Sequence, residues 1–200
     1  MKRTVVLALT IAALIIGLAA PAGASSKSHK KAKKTPKASA FLLTISALPT
    51  GWNVDNSTPD NSTTCYSDPV TKVPSLSYAH VDFQQGGSFP ALTEELGYFA
   101  NPKKAFATIS STLNGCMHFT ETASGQTVQG TMGQMSSPSY GDQSAAWDAT
   151  LTVEGETVNQ GFVMARKGSF IALVAIGDLG SISDDGLQGF MSQAMGKVPA

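Results

Sequence analysis

Residues able to do chemistry are sparse in this 200-residue chain, and their spacing fits none of the common catalysts. The histidines His29, His80 and His118 form no H-E-x-x-H or H-x-H pattern. Cys65 and Cys116 lack a C-x-x-C neighbour, so a zinc site would have to gather its ligands from distant segments. Asp178, Asp184 and Asp185 lie among glycines but miss the calcium-loop spacing. The last two read instead as acids in a helical first turn, where the dipole favours them. Met117, Met132, Met135, Met164, Met191 and Met195 read as adaptable core packing rather than soft metal ligands. No G-x-S-x-G elbow is present, and the S-x-x-K match at Ser28 to Lys31 sits where nothing can orient it. No glycine-rich loop joins a strand to a helix as phosphate or dinucleotide binding requires. No catalytic residue, metal ligand or cofactor is therefore assigned.

What remains is the chemistry of recognition. Tyr78, His80 and Asp82 recur at every second residue and so share one face of a strand. Tyr140, Asp142 and Arg166 flank turns, and Trp147 with Phe162 supplies apolar surface. Polar groups of this kind beside an apolar groove orient an amphipathic ligand. These seven residues (Tyr78, His80, Asp82, Tyr140, Asp142, Trp147 and Arg166) are the ligand-binding candidates.

The N-terminus states where such chemistry takes place. Lys2 and Arg3 precede the apolar stretch Val5 to Ala20, and Ala22-Gly23-Ala24 offers small residues for a signal peptidase. Residues 1–24 are thus expected to be a signal peptide cleaved near Ala24, leaving an exported, extracytoplasmic protein. Residues 25–40 follow with Lys27, Lys30, Lys31, Lys33, Lys34 and Lys37, no acid and no large apolar residue before Phe41. Such a stretch cannot bury enough surface to offset chain entropy, so it reads as a disordered basic arm. Near an anionic surface each Lys would contribute about 1 kcal/mol.

The formal net charge of zero conceals this split. From Phe41 onward six basic residues face all fourteen acids, a balance of −8. An acidic globule lacks the basic face of a nucleic-acid reader. In an oxidising compartment an even cysteine count pairs, so Cys65 and Cys116 are expected to form a disulfide. Asn56 and Asn61 head N-x-[ST] sequons that matter only in a glycosylating host.

The elements follow from periodicity. Phe41, Ile45 and Leu48 fall on one helical stripe that Pro49 stops, and Thr50-Gly51-Trp52 reads as a turn. Leu76 to Gln84 alternates as a half-buried strand, and Pro90 to Phe99 reads as a short helix through Leu92, Leu96 and Phe99. Asn101-Pro102 opens a helix carrying Phe106, Ile109 and Leu113, closed by Asn114-Gly115. Strands are expected at His118 to Thr122, Gln126 to Met135, Ala145 to Val153, Val158 to Ala165 and Phe170 to Ile176. A last helix starts from Ser183 and turns Leu187, Phe190, Met191, Ala194 and Val198 inward.

LLTISALPTGW, Cys65, a helix ending LNGC, GDQSAAW and VMARKGSFIALVAI before a closing helix resemble one kind of protein. They are similar to the extracellular sensor domain of PknH-like kinases of high-GC Gram-positive bacteria. More loosely, they resemble the LpqN-like lipoproteins. The resemblance covers about Phe41 to Ala200, rests on structural motifs, and implies a ligand- or partner-binding domain of the cell envelope.

Together these readings give a single α+β domain over residues 41–200, an antiparallel β-sheet with α-helices packed on one face. Its expected function is non-enzymatic, sensor-like binding of a small amphipathic molecule or an envelope protein, with no nucleic-acid partner. The alternatives are an extracellular hydrolase and a structural stabiliser of an envelope complex.

Overall fold

The computed structural model describes residues 34–56, 65, 69–87, 89–123 and 125–199. The expected signal peptide, most of the basic arm and Asn61 lie outside them. Within them the chain forms β1 (Trp52–Asp55), β2 (Ser77–Gln85), β3 (Ala91–Tyr98), α1 (Pro102–Asn114), β4 (His118–Ala123) and β5 (Gln126–Met135). β6 (Gln143–Val153), β7 (Glu156–Lys167), β8 (Phe170–Asp178) and α2 (Asp184–Lys197) complete it. One eight-stranded sheet runs in the order β1-β2-β3-β8-β7-β6-β5-β4, every neighbouring pair antiparallel.

Local chemistry accounts for the long meander from β4 to β8. Trp147, Ala149 and Leu151 alternate with exposed Asp148, Thr150 and Thr152, so a one-residue slip would turn the buried set into water. β6 and β7 are joined by Glu154-Gly155, both with positive φ (52° and 88°). That pair of conformations matches the right-handed twist of a tight hairpin.

The helices lie on opposite faces of the sheet, which corrects the expectation of helices on one face. α2 presents Leu187, Phe190, Met191, Ala194 and Met195 to a core with Val163, Ala165, Phe170, Ala172, Val174 and Ile176. α1 presents Ala105, Phe106, Ile109 and Leu113 to a second core with Trp147, Phe162, Met164, Ile171, Leu173 and Ala175. In β7 and β8 consecutive residues thus enter different cores. That is why Phe170 to Ile176 is a continuous apolar run instead of an alternating one.

The stretch 90–99 is a central strand, not the expected helix. Leu92 and Leu96 share a face at either period, so their spacing does not separate the two conformations. Pairing with β2 on one side and β8 on the other decides it. The segment 41–48 is likewise no regular α-helix; only a 3-10 turn, Ile45–Ala47, forms there. It belongs to a strap across the α2 face. Ala38 is fully buried and its N–H donates to Ser77 Oγ at 2.9 Å, so the packed domain begins inside the stretch read as arm. Phe41 meets Phe170 edge-on at 5.3 Å, and Lys197 Nζ donates to Leu42 O at 2.7 Å. Trp52 opens a short edge strand and packs edge-on against Phe190 at 5.8 Å.

Cys65 and Cys116 form a disulfide, as expected, fastening the segment before the 3-10 turn Pro69–Lys72 to the end of α1. Such bonds persist in oxidising compartments. Among the described residues no helix is long and apolar enough to cross a membrane.

Candidate functional site

Strand alternation puts Tyr78, His80 and Asp82 on the α1-side face of β2, as the sequence spacing requires. Register with β3 sets Gly97, Glu95 and Thr93 directly beside them. The result is a connected polar wall. The Tyr78 and His80 rings stack with centroids 6.1 Å apart, and His80 Nε2 lies 3.7 Å from Asp82 Oδ2. Thr93 Oγ1 donates to Asp82 Oδ1 at 2.6 Å. Tyr78 OH donates to Glu95 Oε2 at 3.4 Å, and the Val70 N–H donates to the same oxygen at 3.1 Å. His80 and Asp82 keep 31% and 20% of their side chains exposed, so the wall is reachable from solvent.

This order bears on what the wall can do. A nucleophile needs its proton taken by a neighbouring base. Thr93 gives its proton to a carboxylate that also faces His80, which clasps β2 to β3 and leaves the imidazole unengaged with the hydroxyl. The groups suit hydrogen bonding to a ligand. Among the described residues no three His, Cys, Asp or Glu side chains converge as a metal site.

The other sequence candidates lie elsewhere. Trp147 shares the α1-side face but is 1% exposed beneath the end of α1, its indole N–H donating to Asn114 Oδ1 at 2.8 Å. Tyr140 reaches the opposite side, where its hydroxyl meets Gln188 O of α2 at 3.5 Å. Burial pushes that phenol above its ordinary range, partly offset by Ser192. Asp142 and Arg166 form an ion pair at 2.8 Å near the start of α1. The seven candidates therefore form four groups rather than one groove.

Thr93 and Glu95 belong to the wall and were not among those candidates. Reading 90–99 as a helix hid their alternation with β2. A separate concavity of about 470 Å³ opens on the α2-side face of β4–β6, lined by His118, Thr120, Gln129, Thr131, Thr150 and Thr152.

No family model matches the sequence, and no curated protein is similar to it in sequence. In fold the chain is similar to the extracellular domain of PknH from Mycobacterium tuberculosis. That likeness has a TM-score of 0.60 at 14% identity and covers 80% of this chain and 93% of that one. The resemblance carried by the sequence motifs is thus present at the level of the fold.

Proposed function

We propose that this chain is an exported, non-enzymatic binding domain of sensor type, working in the bacterial cell envelope on a small amphipathic molecule or a protein partner. The observation that supports it most is the polar wall of Tyr78, His80, Asp82 and Thr93, each partly exposed, with the buried Glu95 behind it. Donors, acceptors and an aromatic stack there meet on one rigid pair of strands. Sites built on strands hold their geometry better than sites built on loops. The disulfide and the likeness in fold to an extracellular domain support the extracytoplasmic setting.

Native mass spectrometry of the protein recovered from its own host tests this reading, set against the same sample denatured. The expected result is a species co-migrating with the native chain and lost on denaturation, a retained molecule or a protein. It should also be depleted in a His80→Ala, Asp82→Asn double variant that keeps its fold. A native mass equal to the bare chain, with no co-purifying protein, would overturn it.

A further inference from the structure

A second place on the molecule gathers positive charge against the sign of the domain around it. From Phe41 onward the chain holds only six basic residues. Two of them are committed to architecture. Lys167 Nζ donates to Met195 O and Val198 O at the end of α2, and Lys197 Nζ to Leu42 O of the strap. Three others, Lys103, Lys104 and Arg166, line a single cleft of about 380 Å³ with Ala100, Asn101 and Pro102.

The cleft sits on the N-terminus of α1, and that terminus is built the wrong way round for an empty one. The Asn101 side chain makes no capping bond, and the first turn contains no acid. Pro102 has no N–H, and the amides of Lys103 and Lys104 precede the first intrahelical bond, Ala105 N–H to Asn101 O at 3.0 Å. Where the helix dipole favours anions, the sequence places two lysines. Neither lysine side chain has a partner among the described residues.

Arg166 supplies the independent observation. Its side chain is 9% exposed, yet Arg166 lines the cleft. Nε donates to Gln143 Oε1 at 2.7 Å, and Nη1 to Asp142 Oδ2 at 2.8 Å and Gly168 O at 3.1 Å. Nη2 makes no hydrogen bond to the described residues. These bonds fix the fork on three sides and leave one corner for a ligand. Among the described residues Asp142 is the one acid paired with Arg166, and the same oxygen also takes the Gly168 N–H at 2.9 Å. One carboxylate against three cations leaves a formal excess of +2, to which the helix terminus adds.

We propose that this cleft binds an oxyanion of the phosphate class, seated on the α1 amides between Lys103, Lys104 and the Nη2 of Arg166. It lies apart from the polar wall and goes beyond the binding function proposed for that wall. Backbone amides at a helix start with a planar guanidinium alongside are the donor set that phosphate oxygens match. The same chemistry is presented by a soluble phosphate and by a phospholipid headgroup.

Residue-resolved NMR titration of the full exported chain with inorganic phosphate tests this, with chloride at matched ionic strength as control. The expected result is a saturable shift of the Lys103 and Lys104 amides and the Arg166 guanidinium protons, absent with chloride. Lys103→Gln with Lys104→Gln, both at the surface, should weaken it about tenfold, as two exposed charge contacts do. Asp142→Asn should tighten it. Phosphatidylglycerol vesicles that displace phosphate from the same amides would identify a headgroup as the source; vesicles that leave them unmoved would identify a soluble phosphate. Shifts confined to the N-terminal lysines, or unchanged in the Lys103/Lys104 variant, would overturn the proposal.

Discussion

Glu94 and Glu95 are neighbours in the chain, yet each carboxylate is buried in a different core, on opposite faces of the central strand β3. Glu94 Oε2 accepts the Leu43 N–H of the strap on the α2 side. Glu95 Oε2 accepts the Val70 N–H on the α1 side. Each holds an irregular segment onto the sheet. Buried carboxylates are tolerated where backbone donors meet them, and two in succession tie both layers to one strand.

The Glu94 site has a pH signature. Burial lifts its carboxyl from 4.5 to about 7, although the Leu43 N–H and Lys197 both favour the ionised form. Its Oε1 has no hydrogen-bond partner among the described residues. The folded state therefore holds the proton more tightly than the unfolded chain. That stability is full below about pH 4.5 and is lost as pH rises through about 7, by up to about 3 kcal/mol. Urea denaturation at about pH 5 and about pH 8 should show the difference, and Glu94→Gln should flatten it. An unchanged slope in the variant would place the titration elsewhere.

Removing the disulfide should be costly. Cys65 and Cys116 are separated by 51 residues. On the chain-entropy account a loop of that size contributes about 4 kcal/mol. Replacing both cysteines by serine should lower the melting temperature by roughly 10 °C. A fall of a degree or two would show that the Cys65 N–H bonds to Glu121 hold the segment without the bridge.

Trp147 offers an internal probe. Trp147→Phe keeps most of the buried ring but loses the indole bond to Asn114, so it should destabilise the domain by about 1–2 kcal/mol. Calorimetry reads the loss. Unaltered stability would mean that Asn114, exposed at the end of α1, is equally well served by water.

For the basic arm we propose contact with anionic surfaces. Replacing Lys27, Lys30, Lys31, Lys33, Lys34 and Lys37 by glutamine should abolish most binding to phosphatidylglycerol vesicles. The parent's binding should weaken steeply with salt. Equal binding by both proteins would dispose of the arm as a tether.

The sequence made the meander legible because β4 to β7 are polar on at least part of one face, and α1 because Asn101-Pro102 opens it. β3 was not legible. Leu92 and Leu96 fit either period, and consecutive glutamates look like a solvated helix when their partners lie as far away as Leu43 and Val70. The unbroken run Phe170 to Ile176 carried a signal for helices on both faces, since a strand covered on one side has polar residues to spend on the other. The polar wall was half legible. The spacing of Tyr78, His80 and Asp82 put them together, but Thr93 and Glu95 join only through pairing with β3. Lys103 and Lys104 stood in the first turn after Asn101-Pro102, against the helix dipole, and that local conflict was readable without any structure.

The pairing of β3 with β8 joins Ala91 to Gly177 and Tyr98 to Phe170. β4 to β8 can assemble by successive hairpins, each partner close in the chain. β3 can pair with β2 in the same way, but its other edge must wait until the last strand has been delivered. As the chain is made, the N-terminal part emerges first, carrying an unpaired edge with two carboxylates on its strand. Charge at that edge discourages pairing with other chains, so the residues that later pin the strap and the Pro69–Lys72 turn would also guard the strand while it waits.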